Sequence, residues 1–231
     1  MPFVPGQTIS YPALAARLAA LPPSCGPVRL VAVDGPSGAG KSTFAPLLAA
    51  ALAERAGGAV PLVRSDDFRV PWDADPLTWW EPLRAAVLEP LSRGVPGRLR
   101  RYDWRTGSTG PEEEIPAAPV LVVEGVGAAW RESPAACRIW VDAPRGLRRA
   151  RALARDGADW ADAWEGWSER EARHFAADRT RDRADLLVDG ARVAAPEIRV
   201  TGVREPFMDR SKNSRETLSR GAGGDQSRRR P

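Results

Sequence analysis

Gly35-Pro36-Ser37-Gly38-Ala39-Gly40-Lys41-Ser42 carries the densest chemistry in the chain and fits G-x-x-x-x-G-K-[ST]. Glycines let a backbone curl so that successive N–H groups converge on phosphate oxygens. A helix that begins at the end of such a loop adds the positive end of its dipole. In this pattern Lys41 reaches the β- and γ-phosphates, the Ser42 hydroxyl ligates Mg²⁺, and Thr43 completes the ring of donors. Composition supports a specific role for the lysine. The chain has 32 Arg and two Lys, and the second, Lys212, sits in the C-terminal tail. A sequence that otherwise uses Arg keeps one slim point charge where a guanidinium would not fit between phosphates. The expected cofactors are ATP and Mg²⁺, with ATP taken over GTP because no base-reading motif is visible.

Two acidic positions could complete a phosphoryl-transfer site. Asp66-Asp67-Phe68 follows an apolar run, where a carboxylate can accept the proton of an attacking hydroxyl; an ordinary helix cap is the other reading. Glu124 closes Val120-Leu121-Val122-Val123 and precedes Gly125. An acid there holds a metal through a bound water, unless it ends the strand by chance. Arg148, Arg151 and Arg155 recur at spacings of three and four, so one helical face carries all three. Such guanidinium groups neutralise charge on a transferring phosphoryl group, or else form a solvated cationic face. Trp72, Trp79, Trp80 and Trp104 fall in the segments expected to surround an acceptor, where indole faces stack on flat rings or simply pack a core. Trp160, Trp164 and Trp167 are expected to pack a lid helix. His174, the sole histidine, reads as a surface or satisfied residue.

The elements that must hold these groups alternate. Val28–Val33, Val60–Arg64, Val120–Gly125, Ile139–Asp142 and Asp185–Asp189 read as strands. Ser42–Arg55, about Leu77–Arg93, Pro144–Asp156 and Trp164–Thr180 read as helices, and Arg98–Trp104 as part of a hairpin. Pro46 should bend or loosen the first of these helices. Strands alternating with helices predict an α/β fold with a mostly parallel sheet between helical layers. The expected organisation is a lead-in over 1–27 with one short helix, a catalytic domain over 28–207 with a lid around 144–165, and a tail over 208–231.

Composition bounds the partners. Of the 34 basic and 30 acidic residues, seven basic and three acidic ones lie in 208–231, so the first 207 residues carry 27 of each. The whole net charge of +4 belongs to a Gly/Ser/Arg tail that reads as disordered, which argues against nucleic acid as the main partner. No apolar run reaches the ~18 residues of a membrane span. Two distant cysteines make no disulfide framework or zinc pattern, and a reducing, cytoplasmic setting is the expectation. The oligomeric state stays open, a homo-oligomer included.

Over about residues 28–190 the chain resembles the uridine kinase and phosphoribulokinase group of P-loop kinases. The resemblance rests on Gly35–Ser42, Asp66-Asp67-Phe68, Tyr102-Asp103-Trp104, Val122-Val123-Glu124-Gly125 and Ala184–Val188. It implies a P-loop NTPase sandwich and an ATP-dependent kinase acting on a hydroxyl of a small molecule, most naturally a nucleoside. A vitamin precursor or sugar as acceptor, and a non-catalytic ATP-binding regulator, are the alternatives. It also implies Asp66 as base, Glu124 in the metal site, Arg148, Arg151 and Arg155 in the lid, and Asp66, Phe68, Tyr102 and Trp104 at the acceptor. Departures exist. Uridine kinases carry a histidine five residues after the pocket tyrosine, where this chain has Gly107. The acid that holds ribose hydroxyls would fall near Asp73 or Asp75, without a clean match.

Overall fold

The computed structural model describes residues 6–204. The tail over 208–231 lies outside them, as do the first five residues of the lead-in. In chain order the strands are β1 (Thr8–Ser10), β2 (Arg29–Asp34), β3 (Leu62–Arg64), β4 (Gly97–Asp103), β5 (Ser108–Ile115), β6 (Val120–Glu124), β7 (Cys137–Asp142), β8 (Leu186–Asp189) and β9 (Glu197–Val203). Seven of them form one sheet in the order β1-β9-β8-β7-β2-β6-β3, and β4 and β5 form a separate hairpin. The run from β8 to β3 is parallel, while β9 and β1 close the other edge in antiparallel pairs.

The central strands read as unbroken apolar runs because both their faces are covered. Along β2, Val31 and Val33 enter one core with Phe44 and Leu48, while Leu30 and Ala32 enter a second with Trp79 and Leu83. β6 divides likewise, Val122 to the first and Leu121 and Val123 to the second. Helices α1 (Tyr11–Ala19) and α2 (Lys41–Ala56) build the first layer. The second layer is the helical stretch 80–92, which comprises α3 (Trp80–Leu83), a π turn over Arg84–Leu88, and α4 (Glu89–Ser92). Pro82 and Pro90 cannot donate backbone bonds, which favours this mixed register over one regular helix.

Two elements exceed the sequence reading. Thr8–Ser10 pairs with β9, so part of the lead-in is an edge strand, and α1 contributes Leu14 and Leu18 to the first core. β9 itself was not expected, although Ile198 and Val200 alternate inward along it. Pro46 leaves α2 unbroken from Lys41 to Ala56. The C-terminal part comprises α5 (Arg145–Asp156), a short 3₁₀ turn at Ala158–Trp160, α6 (Ala161–Asp178) and α7 (Thr180–Arg183). Among the described residues, no helix is long and apolar enough to cross a membrane.

Candidate functional site

Pairing of β2 with β6 sets Val33 opposite Glu124, and pairing with β7 sets Asp34 opposite Trp140. The residues that follow the carboxyl ends of β2 and β3, with Glu124 at the end of β6, open on one crevice, the usual ligand position in such sheets. The loop 35–40 turns out of β2 into α2. Gly35 begins it at φ 140°, and a Cβ there would lie 2.0 Å from the Val141 carbonyl oxygen. At Gly190, across the loop, a Cβ would lie 1.9 Å from the Ala39 carbonyl oxygen. Both positions exclude a side chain because other backbone presses against them.

The loop is braced by two acids that the sequence reading did not single out. Asp34 is fully buried and accepts N–H groups from Gly35 at 2.7 Å, Gly127 at 3.0 Å and Ala129 at 2.8 Å. Burial pushes its carboxyl up to about 6 against the pull of these donors. Glu171 of α6, also buried, accepts the Ser37 N–H at 2.9 Å and pairs with Arg148 at 3.3 Å; burial raises its pKa too. A signal for Glu171 existed. Trp164, Trp167, Ser168 and Glu171 follow helical spacing, and all four are buried.

The loop encloses its lysine. Lys41 Nζ donates to the carbonyl oxygens of Gly35 at 2.8 Å and Pro36 at 3.1 Å. Ser42 Oγ lies 3.5 Å from Glu124 Oε1. Glu124 is 4% exposed, and burial pushes its carboxyl up to about 7; Lys41 and Arg64 draw it down, and Asp66 and Asp67 raise it further.

The two adjacent aspartates have separate environments. Asp67 is buried, accepts the Arg64 backbone N–H at 2.7 Å, and forms an ion pair with Arg101 of the hairpin. Asp66 is exposed and faces the crevice, its Oδ1 accepting from Ser65 Oγ at 3.3 Å. The capping carboxylate, Asp67, and the cavity carboxylate, Asp66, are thus neighbouring residues.

A cavity of about 860 Å³ joins these parts. Ser37, Gly38, Gly40, Lys41, Ser42, Thr43, Asp66, Glu124, Arg151 and Arg155 all line it. Arg148 does not. Its guanidinium donates to the Ala143 and Ser37 carbonyls and to Glu171, so it ties α5 and α6 to the glycine loop. Arg151 donates to Gly190 O at 3.0 Å. Arg155 pairs with Asp156, which stabilises its charge, and the fields of Asp66 and Glu124 add to this.

The expected acceptor residues divide as well. Trp104 lines the cavity and donates its indole N–H to the Asp66 carbonyl at 2.8 Å. Tyr102 stands edge-on behind Trp104 with ring centroids 4.9 Å apart, and Phe68 packs in the core against Trp79 at 5.9 Å. Trp160 and Trp167 line the cavity, where helix packing had been expected; of that trio only Trp164 is buried away from it. Gly107 occupies a left-handed turn of the hairpin at φ 67°. His174 is half-buried against Phe175, with a lowered pKa that burial causes.

No protein-family model matches the chain, and no curated protein matches it significantly in sequence. Solved structures do resemble it. One is a protein of Silicibacter sp. TM1040 named as a “putative fructose transport system kinase”. It shows a TM-score of 0.55 and 21% identity, over 78% of this chain and 98% of that one. Another is a “possible uridine kinase” from Bacillus stearothermophilus, with a TM-score of 0.56 and 19% identity, over 75% of this chain and 94% of that one. The likeness is one of fold, an α/β architecture with a mostly parallel sheet shared with these two proteins.

Proposed function

We propose that the chain is an ATP-dependent kinase that transfers the γ-phosphoryl group to a hydroxyl of a small molecule. One observation carries this reading: Lys41, Ser42, Glu124, Asp66 and Arg155 line a single cavity although they come from four separate parts of the chain.

The chain's own groups supply the chemistry as follows. The amides of the loop and of α2's first turn hold the phosphates, and Lys41 turns from its loop carbonyls to the β/γ oxygens. The acceptor oxygen forms a bond to the γ-phosphorus as its proton passes to the Asp66 carboxylate. The bond from that phosphorus to the β-bridging oxygen breaks, leaving its electron pair on ADP. Arg151 and Arg155 offset charge on the transferring group.

Mg²⁺ fits the residues present. Glu124 is a buried carboxylate whose ionised form is poorly compensated, and a hydroxyl stands beside it. Among the described residues, no group of three or more His, Cys, Asp or Glu side chains is placed for a metal. Mg²⁺ needs none, because it keeps waters and takes phosphate oxygens as ligands. When bound, it would be held by Ser42 and, through water, by Glu124, and it would neutralise phosphate charge.

The acceptor is an alcohol, with a nucleoside as the first class to try. ADP release across a panel of nucleosides, sugars and vitamin alcohols, with mass spectrometry of the product, tests the reading. An acceptor-dependent product heavier by one phosphoryl group is expected. Nucleotide binding with no transfer to any acceptor would make the chain an ATP-binding regulator instead.

A further inference from the structure

We infer that the acceptor is an alcohol carried on a flat aromatic body, and that the site reads the faces of that body and not its polar edge. This rests on the kinase reading above. Beyond the phosphate loop and its acids, the cavity wall is made of Val70, Trp72, Pro76, Trp79, Val126 and three more indoles, Trp104, Trp160 and Trp167.

Three of these five indoles spend their N–H groups inside the protein. Trp79 Nε1 donates to the Val126 carbonyl at 3.0 Å, Trp104 Nε1 to the Asp66 carbonyl at 2.8 Å, and Trp167 Nε1 to Ser37 Oγ at 2.8 Å. The Trp72 carbonyl is held by Arg170 at 3.0 Å. Trp72 also joins the wall together, with Trp160 tilted against it and Trp167 edge-on to it, both at 6.0 Å. A ring in van der Waals contact with such a wall meets π faces and aliphatic carbon, which favour stacked or edge-to-face aromatic partners.

The lining offers few polar readers for a sugar or a base edge: Ser65 is there, but its hydroxyl donates to Asp66 Oδ1 at 3.3 Å. Asp73 and Asp75 are exposed and do not line it, and Asp75 accepts the Leu77 N–H at 2.7 Å as a turn cap. Tyr102 stands behind Trp104, and Gly107 offers no side chain. The charged groups that do line the cavity are Lys41, Asp66 and Glu124 around the glycine loop and Arg151, Arg155 and Asp156 on α5. A polyol placed against the indoles would lose water contacts without replacement. Trp104 and Trp167 reach directly to Asp66 and to the phosphate loop, so a ring seated on this wall is placed with its hydroxyl toward the base.

Calorimetric titrations of the full chain, saturated with Mg²⁺ and a non-hydrolysable ATP analogue, test this with indole-3-ethanol and fructose as probes. Indole-3-ethanol should bind about tenfold or more tightly than fructose. Trp160→Ala, at a side chain 46% exposed and so safe for folding, should weaken indole-3-ethanol about threefold or more and leave nucleotide affinity unchanged. Fructose binding as tightly as the indole, no change in Trp160→Ala, or competition between indole-3-ethanol and the nucleotide would each overturn the inference. Competition would mean that the wall holds the adenine. Failure of the nucleotide analogue itself to bind would overturn the kinase reading and is recorded separately, before either probe is added.

Discussion

Ser42 Oγ and Glu124 Oε1 lie 3.5 Å apart although 82 residues separate them in sequence. Parallel pairing of β2 with β6, which sets Val33 beside Glu124, makes the juxtaposition obligatory once the sheet forms. A hydroxyl and a carboxylate are thereby held together at the end of the glycine loop.

That carboxylate should give stability a pH signature. Burial raises its folded-state value from an ordinary 4.5 to about 7. The folded protein therefore binds this proton more tightly than the unfolded chain, and stability falls as pH rises from about 4.5 to about 7. Asp34, pushed up to about 6, acts in the same direction. Without Mg²⁺, the Tm should drop across this window, and Glu124→Gln should flatten the drop in part. Mg-nucleotide affinity should rise over the same range in the wild type and not in Glu124→Gln. Thermal melts and titrations at a series of pH values check both.

Asp66→Asn and Asp67→Asn should behave as opposites. The first should lower phosphoryl transfer by about 10²–10⁴ while nucleotide affinity holds. The second breaks the pair with Arg101 and weakens the Arg64 cap, so it should cost stability and leave more of the transfer rate. Paired kinetics and melting curves on the two variants separate the roles.

Asp34→Asn replaces a buried acceptor of three N–H groups by an amide that can turn only one oxygen toward them. A loss of about 1–3 kcal/mol is expected. For a chain of this size that is a Tm decrease of roughly 2–12 °C. An unchanged Tm would show that these bonds do not brace the loop.

Sequence reasoning reached the loop and the sheet core, because glycine spacing and unbroken apolar runs are local signals, and it set Asp66 just past a strand, where the fold brings it to the cavity. It missed what depends on tertiary contact. Arg148, Arg151 and Arg155 share a face by periodicity, but only the fold shows that the buried Glu171 claims Arg148. Trp160 and Trp167 looked like packing residues because helical spacing does not reveal that Trp72, some 90 residues earlier, brings them to the cavity. β1 and β9 escaped because β1 is only three residues long and is held by pairing with β9, and β9 carries only a short alternation and is held between β1 and β8.

The arginines should separate under mutation. Arg148→Ala leaves Glu171 buried without its cation and should cost about 3–5 kcal/mol, visible as a lower Tm. Arg155→Ala, at a side chain more than half exposed, should leave the Tm nearly unchanged and reduce turnover on the order of 10²-fold.

The measurement closest to the centre of the account is calorimetric titration of a non-hydrolysable ATP analogue with Mg²⁺ into the wild type and Lys41→Ala, with circular dichroism to confirm that both are folded. Saturable binding to the wild type, weakened by about 100-fold or more in Lys41→Ala, is the expected result. No binding by the folded wild type, or equal binding by the two proteins, would contradict it.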